Sequence, residues 1–169
     1  MRRAFACLLV IAGLTPAGAL GGRATATSGL DASILGQINT LRASRGLAPL
    51  RPSTGLQAAA AEHSREMLRA GYFAHESPDG SPFWKRIERS YGVTGFRTWD
   101  VGENLASASP TLDASSLVRN WLASPPHRAN LLDPRWRQIG IAAVHVEKGS
   151  GVYGDLPATV VTADFGVRA

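Results

Sequence analysis

The chain has 169 residues, 44% of them hydrophobic and 18% charged, with a formal net charge of +5. Its 18 glycines and 10 prolines are too few for a low-complexity or disordered chain, and this length can enclose one core. The lone cysteine, Cys7, excludes a disulfide framework and a thiolate zinc site.

Arg2 and Arg3 precede an apolar run from Ala4 to Leu14, followed by Pro16 and then Ala17-Gly18-Ala19. A charged start, a short apolar stretch and a small-residue site read as a secretory signal peptide. Cleavage is expected after Ala19 or, at the second such site, after Ala26, so residues 1–26 are assigned as signal peptide and short linker. The apolar run is too short to span a bilayer, and no later stretch approaches the ~20 residues a span needs. An uncleaved anchor is the rival reading of the same pattern. Cys7 lies too early in the run for a lipid-modified cysteine. Losing Arg2 and Arg3 lowers the net charge to +3, and losing Arg23 as well lowers it to +2. The remaining arginines are scattered and no nucleic-acid motif occurs, so a mixed-sign surface is expected and a polyanion partner is not.

After the linker, Ile34, Leu35, Ile38 and Leu41 recur at helical spacing from Asp31 onward, and Gly46 supplies a stop. Ser53 or Thr54 is placed to cap a second helix carrying Leu56, Ala60, His63 and Met67 on one stripe and ending at Gly71. Ser77-Pro78-Asp79-Gly80 is a turn, and Ser81-Pro82 opens a short helix through Ile87 to Tyr91. Val101 to Ala106 reads as a short strand or extended loop. Asp113 or Thr111 caps a fourth helix through Trp121, and Ser124-Pro125-Pro126 starts a fifth. Beyond Pro134 the period changes to two: Ile139, Ile141 and Ala143 alternate with their neighbours, Lys148-Gly149-Ser150-Gly151 turns, and Ala158 to Val167 returns as a second strand. Helices first and strands afterwards predict an α+β fold with an antiparallel sheet.

The four histidines differ in setting. His63 lies on the apolar stripe of the second helix, where a satisfied core histidine is expected, and His145 lies within a strand. His75 follows the stop of the second helix, just before the turn. His127 stands in the first turn of the fifth helix, where the helix dipole favours a neutral imidazole. Such an imidazole serves as a metal ligand or a general base. Glu103, in Gly102-Glu103-Asn104, reads either as an acid that ties strand to helix or as a partner of the two histidines. Two histidines and one carboxylate match the ligand types of a His₂Glu zinc site. Ser124 precedes a proline at a helix start and is expected to spend its oxygen as an N-cap rather than act as a nucleophile. No G-x-S-x-G or P-loop pattern occurs, and no organic cofactor is expected.

Asn39-Thr40-Leu41-Arg42, Phe73-Ala74-His75, Pro78-Asp79-Gly80, Gly102-Glu103-Asn104, Trp121, Ser124 to Asn130 and Asp164-Phe165-Gly166 occur in one order. Over residues 31–167 this resembles the bacterial branch of the CAP superfamily (cysteine-rich secretory, antigen 5 and pathogenesis-related-1 proteins). The resemblance implies an α-β-α sandwich, with a small antiparallel sheet between helical layers and a cleft lined by two His and two Glu. It carries His75, Glu103 and His127 onto the cleft as metal ligands. The second acid of the family pattern falls on Ser124, three residues after Trp121, and the family's cysteines are missing. Three functions follow as expectations. The leading one is a secreted binding module whose cleft holds a divalent metal, zinc by ligand type, and engages an extracellular or cell-envelope ligand. The alternatives are a metal-dependent, peptidase-like hydrolase and a lipid or sterol carrier.

Overall fold

A computed structural model of the chain describes residues 24–26 and 28–169. Residues 1–23, most of the assigned signal peptide and linker, lie outside the described residues. The elements run β1 (Thr25–Ala26), α1 (Ser28–Ala43), β2 (Arg51–Pro52), α2 (Thr54–Ala70), α3 (Phe83–Ser90), β3 (Trp99–Ala108), α4 (Ala114–Ala123), α5 (Pro125–Leu132), β4 (Gln138–Val146) and β5 (Ala158–Arg168). The strands form one sheet in the order β1-β4-β5-β3. β2 joins β4 in parallel, and every other pair is antiparallel.

Strand periodicity sorts the core into two layers. Ile139, Ile141 and Ala143 of β4 and Val161, Ala163 and Phe165 of β5 pack with Ile34 and Ile38 of α1, Leu117 and Trp121 of α4 and Leu131 of α5. Val144, Val146, Ala158 and Val160 point the other way, onto Met67 and Leu68 of α2. Leu56 and Ala59 of α2 continue that layer to Ile87 of α3 and to Tyr91. The result is the expected α+β fold, an α-β-α sandwich.

Local chemistry sets most helix ends where the residues predict them. Ser53 caps α2 by accepting the Leu56 N–H at 3.5 Å, and Gly71 ends it in the left-handed region at φ 70°. Asp113 caps α4 by accepting the Ser116 N–H at 2.9 Å. Two expectations need correction. β3 runs from Trp99 to Ala108, longer than a short strand or loop, because its full length pairs with β5. Ser124 is the N-cap residue of α5, yet its side chain makes no capping bond. Pro126 removes one of the two N–H groups an N-cap oxygen can accept from, leaving only that of His127.

Candidate functional site at the open edge of the sheet

β3 is the terminal strand of the sheet, with α3 packed on one side and α5 on the other. Alternation along β3 decides which layer each side chain meets. Glu103 points into the layer of α2 and α3, where Arg86 of α3 donates to its Oε2 through Nη2. Asn104 points the other way, and its Nδ2 donates to the backbone oxygen of His127 on α5 at 3.1 Å. Asn130, one turn further along α5, donates from Nδ2 to the Glu103 carbonyl at 3.0 Å and to Asn104 Oδ1 at 2.9 Å. Gly102 permits this approach: a Cβ there would stand 2.8 Å from Asn130 Oδ1. Glu103 and His127 thus sit on two elements stitched together by side-chain amides.

His75 comes from the segment that leaves α2. The left-handed Gly71 turns the chain, and His63, buried in α2, faces the Ala74 carbonyl with Nε2 at 2.9 Å. A carbonyl only accepts, so the His63 proton resides on Nε2. Burial holds the His63 pKa below the usual imidazole value, so the ring is neutral near pH 7. This bears out His63 as a core histidine with a structural bond.

The next residue, His75, places Nδ1 at 2.8 Å from Glu103 Oε1. Its side chain is 20% exposed, whereas that of Glu103 is fully buried. Burial works to raise the Glu103 pKa, but the His75 hydrogen bond and the Arg86 charge outweigh it and keep the carboxyl below its usual range. An ionised carboxylate only accepts, which puts the His75 ring proton on Nδ1 and leaves Nε2 as the lone-pair nitrogen.

His127 is half-buried, with its ring beside Trp121 at a centroid distance of 6.4 Å. Burial lowers its pKa, and a proton on the neighbouring His75 ring would lower it further. The two histidines therefore feel one another, and His127 is neutral near pH 7. The structure brings His75 and Glu103 into direct contact and puts His127 within electrostatic reach. Among the described residues, no three His, Cys, Asp or Glu side chains form a ready-made ligand cluster. Both Glu103 oxygens are engaged, one by His75 and one by Arg86. The ring nitrogens left over to bind a ligand are His75 Nε2 and those of His127.

Two buried residues of this site escaped sequence reasoning as functional candidates. Arg86 is 1% exposed, although its neighbours Lys85 and Arg89 face solvent. Asp164 is fully buried on β5, directly opposite Glu103. Burial, then the Glu103 charge, raises the Asp164 pKa well above the ordinary carboxyl value. A lone acid inside the apolar run Val160 to Phe165 was a usable signal for it. Arg86 offered none, since it stands among charges in Lys85-Arg86-Ile87-Glu88-Arg89.

An α-β-α sandwich with a His–Glu contact at a terminal strand defines the class to which known proteins can be compared. The model of the CAP family, described as the cysteine-rich secretory protein family, matches residues 35–165, and this chain belongs to that family. The uncharacterized protein YkwD of Bacillus subtilis is 33% identical over 127 residues, covering 75% of this chain and 46% of that protein. The uncharacterized membrane protein YlbC of the same organism is 31% identical over 111 residues, 66% of this chain and 30% of that protein. The chain thus spans less than half the length of these curated relatives. A solved extracellular protein containing an SCP domain, from Bacillus anthracis, superposes with a TM-score of 0.62 at 28% identity, over 82% of this chain and 40% of that one. An outer surface protein of Borrelia burgdorferi shares the fold, with a TM-score of 0.68 at 22% identity over 88% of this chain and 99% of that one.

Proposed function

We propose that this chain is an exported CAP-domain binding module whose site holds a divalent cation, zinc by ligand type, between His75 and His127 and engages an extracellular or cell-envelope ligand. The observation that carries this reading is the His75 Nδ1 contact with Glu103 at 2.8 Å, which commits one ring nitrogen and leaves Nε2 to act as a ligand. Glu103 then orients the histidine from behind, as carboxylates do for metal-bound imidazoles. A bound cation would supply an open coordination position for an oxygen or nitrogen of the ligand. The carboxylate of the site is committed to Arg86 and His75, which favours binding over metal-dependent hydrolysis. Trp136 is 2% exposed and packs on Phe165, a core role rather than a place on the wall of a lipid groove. Export is supported by the N-terminal pattern and by the extracellular and outer-surface descriptions of the two structural relatives. No described helix is long and apolar enough to cross a membrane.

Calorimetric zinc titration of the wild type and of the H75A/H127A variant at pH 7.5 tests the reading. Weak, reversible binding by the wild type is expected, lost in the variant while the melting temperature changes only modestly. Protonation competes with coordination, so wild-type affinity should fall toward pH 5. Equal binding by both proteins would remove this site, and binding by neither would overturn the metal reading.

A further inference from the structure

We propose that Arg86 is the positioning residue of this site: its buried guanidinium fixes the Glu103 carboxylate and, through it, the nitrogen of His75 that carries the ring proton. The inference deepens the metal-binding reading, because Nε2 can ligate only when the proton is on Nδ1.

Arg86 holds both parts of the arrangement it would control. Nη2 donates to Glu103 Oε2, and Nη1 reaches the backbone oxygen of His75 at 3.5 Å. Oε1, the other carboxylate oxygen, accepts from His75 Nδ1. With Oε2 held by the guanidinium, the carboxylate cannot rotate away from the imidazole. A planar fork can hold two acceptors in fixed directions, whereas a lysine offers a point charge.

Core stability alone does not explain the residue. Arg86 is 1% exposed, and its Nε has no hydrogen-bond partner. A buried ion pair with an orphan donor is commonly no more stable than an apolar pair of the same size. What the guanidinium does at this place is orient Glu103.

The tautomer of His75 can be read without any metal, by two-bond ¹⁵N–¹H spectra of the full chain at pH 8. The wild type should show Nδ1–H. In E103Q the amide oxygen turns to the guanidinium, its NH₂ donates to Nδ1, and the ring proton moves to Nε2. Adding Arg86→Met releases the amide, so R86M/E103Q should show both tautomers. This double variant has no buried charge in the pair and keeps the side-chain volumes, so it can be compared directly with the wild type if a single variant fails to fold. R86M alone should lose the single Nδ1–H form and weaken zinc binding about ten- to hundred-fold. R86K should retain part of both. An unchanged Nδ1–H form in R86M, the same tautomer in E103Q and R86M/E103Q, or a double variant identical to the wild type would each overturn the proposal. A wild type that binds no zinc yet shows these tautomer shifts would overturn the metal reading and sustain this one.

Discussion

Glu103 and Asp164 lie directly opposite each other on β3 and β5, both buried, with their carboxyl pKa values pushed in opposite directions, Glu103 down and Asp164 up. Their different states come from their partners. Arg86 and His75 bond the Glu103 oxygens, whereas the side-chain partner of Asp164 is the Glu103 carboxylate itself. A second negative charge beside the first, with no second cation, is the more costly state.

A buried acid that keeps its proton makes stability depend on pH. Unfolded, the Asp164 carboxyl ionises near pH 4. Folded, its pKa is well above that value, so above pH 4 the native state binds the extra proton and stability falls as pH rises. The slope reaches about 1.4 kcal/mol per pH unit for one proton, until the folded carboxyl also ionises. Asp164→Asn removes that dependence at nearly constant volume. Denaturant unfolding at pH 5, 6 and 7 should show D164N gaining on the wild type with each step. A difference independent of pH would contradict a protonated Asp164.

His63 acts in the opposite direction. Its folded pKa is depressed by burial, while the unfolded imidazole takes up a proton near pH 6.5. Stability is therefore fully present above that pH and is lost as pH falls through 6.5 toward the folded value. In the wild type this loss and the Asp164 effect partly cancel. A glutamine at position 63 can still donate to the Ala74 carbonyl but cannot titrate. His63→Gln should therefore lose less stability than the wild type between pH 7 and 5, measured by the same unfolding curves. Parallel profiles would refute a depressed His63.

The contrast between these two residues also marks how far the sequence could be read. His63 was visible as a core histidine because it lies on a stripe with Leu56, Ala60 and Met67, and helical periodicity is a local property. The starts of α2 and α4 and the end of α2 were visible for the same reason, in Ser53, Asp113 and Gly71. His75 and Glu103 were named as site residues, but their mutual bond depends on β3 passing beside the end of α2, 28 positions along the chain. Arg86 is the clearest case: nothing local distinguishes it from Arg89, and only the placement of α3 against β3 buries one and exposes the other.

Gly102 tests the fit between β3 and α5. An added Cβ would meet Asn130 Oδ1 at 2.8 Å and Trp136 Cζ2 at 3.1 Å. Asn130 is tied to Glu103 and Asn104, and Trp136 is packed in the core, so neither gives way freely. Overpacking of this kind costs about 1–3 kcal/mol. Gly102→Ala should lower the melting temperature by several degrees and weaken zinc binding, because the strain is relieved by moving α5 and with it His127. An unchanged melting temperature would mean that the two elements have slack between them.

The amide pair Asn104–Asn130 is the remaining link between the two histidines. Asn104 is fully buried, and its orientation is set at both ends: Oδ1 accepts from Asn130, and Nδ2 donates to the His127 carbonyl. Asn130 also satisfies the Glu103 carbonyl. Truncating either amide strands a partner inside the protein, at a cost of about 1–3 kcal/mol. The two losses are not independent, because each variant breaks the same Asn130–Asn104 bond. Asn104→Ala, Asn130→Ala and the double variant, measured by denaturant unfolding, should therefore show a double loss smaller than the sum by about 0.5–3 kcal/mol. Zinc affinity should follow the same pattern, since both singles free the first turn of α5 on which His127 stands. Strictly additive losses in stability would show that the two amides act separately and that α5 is positioned by its apolar contacts with Trp121 and Trp136 instead.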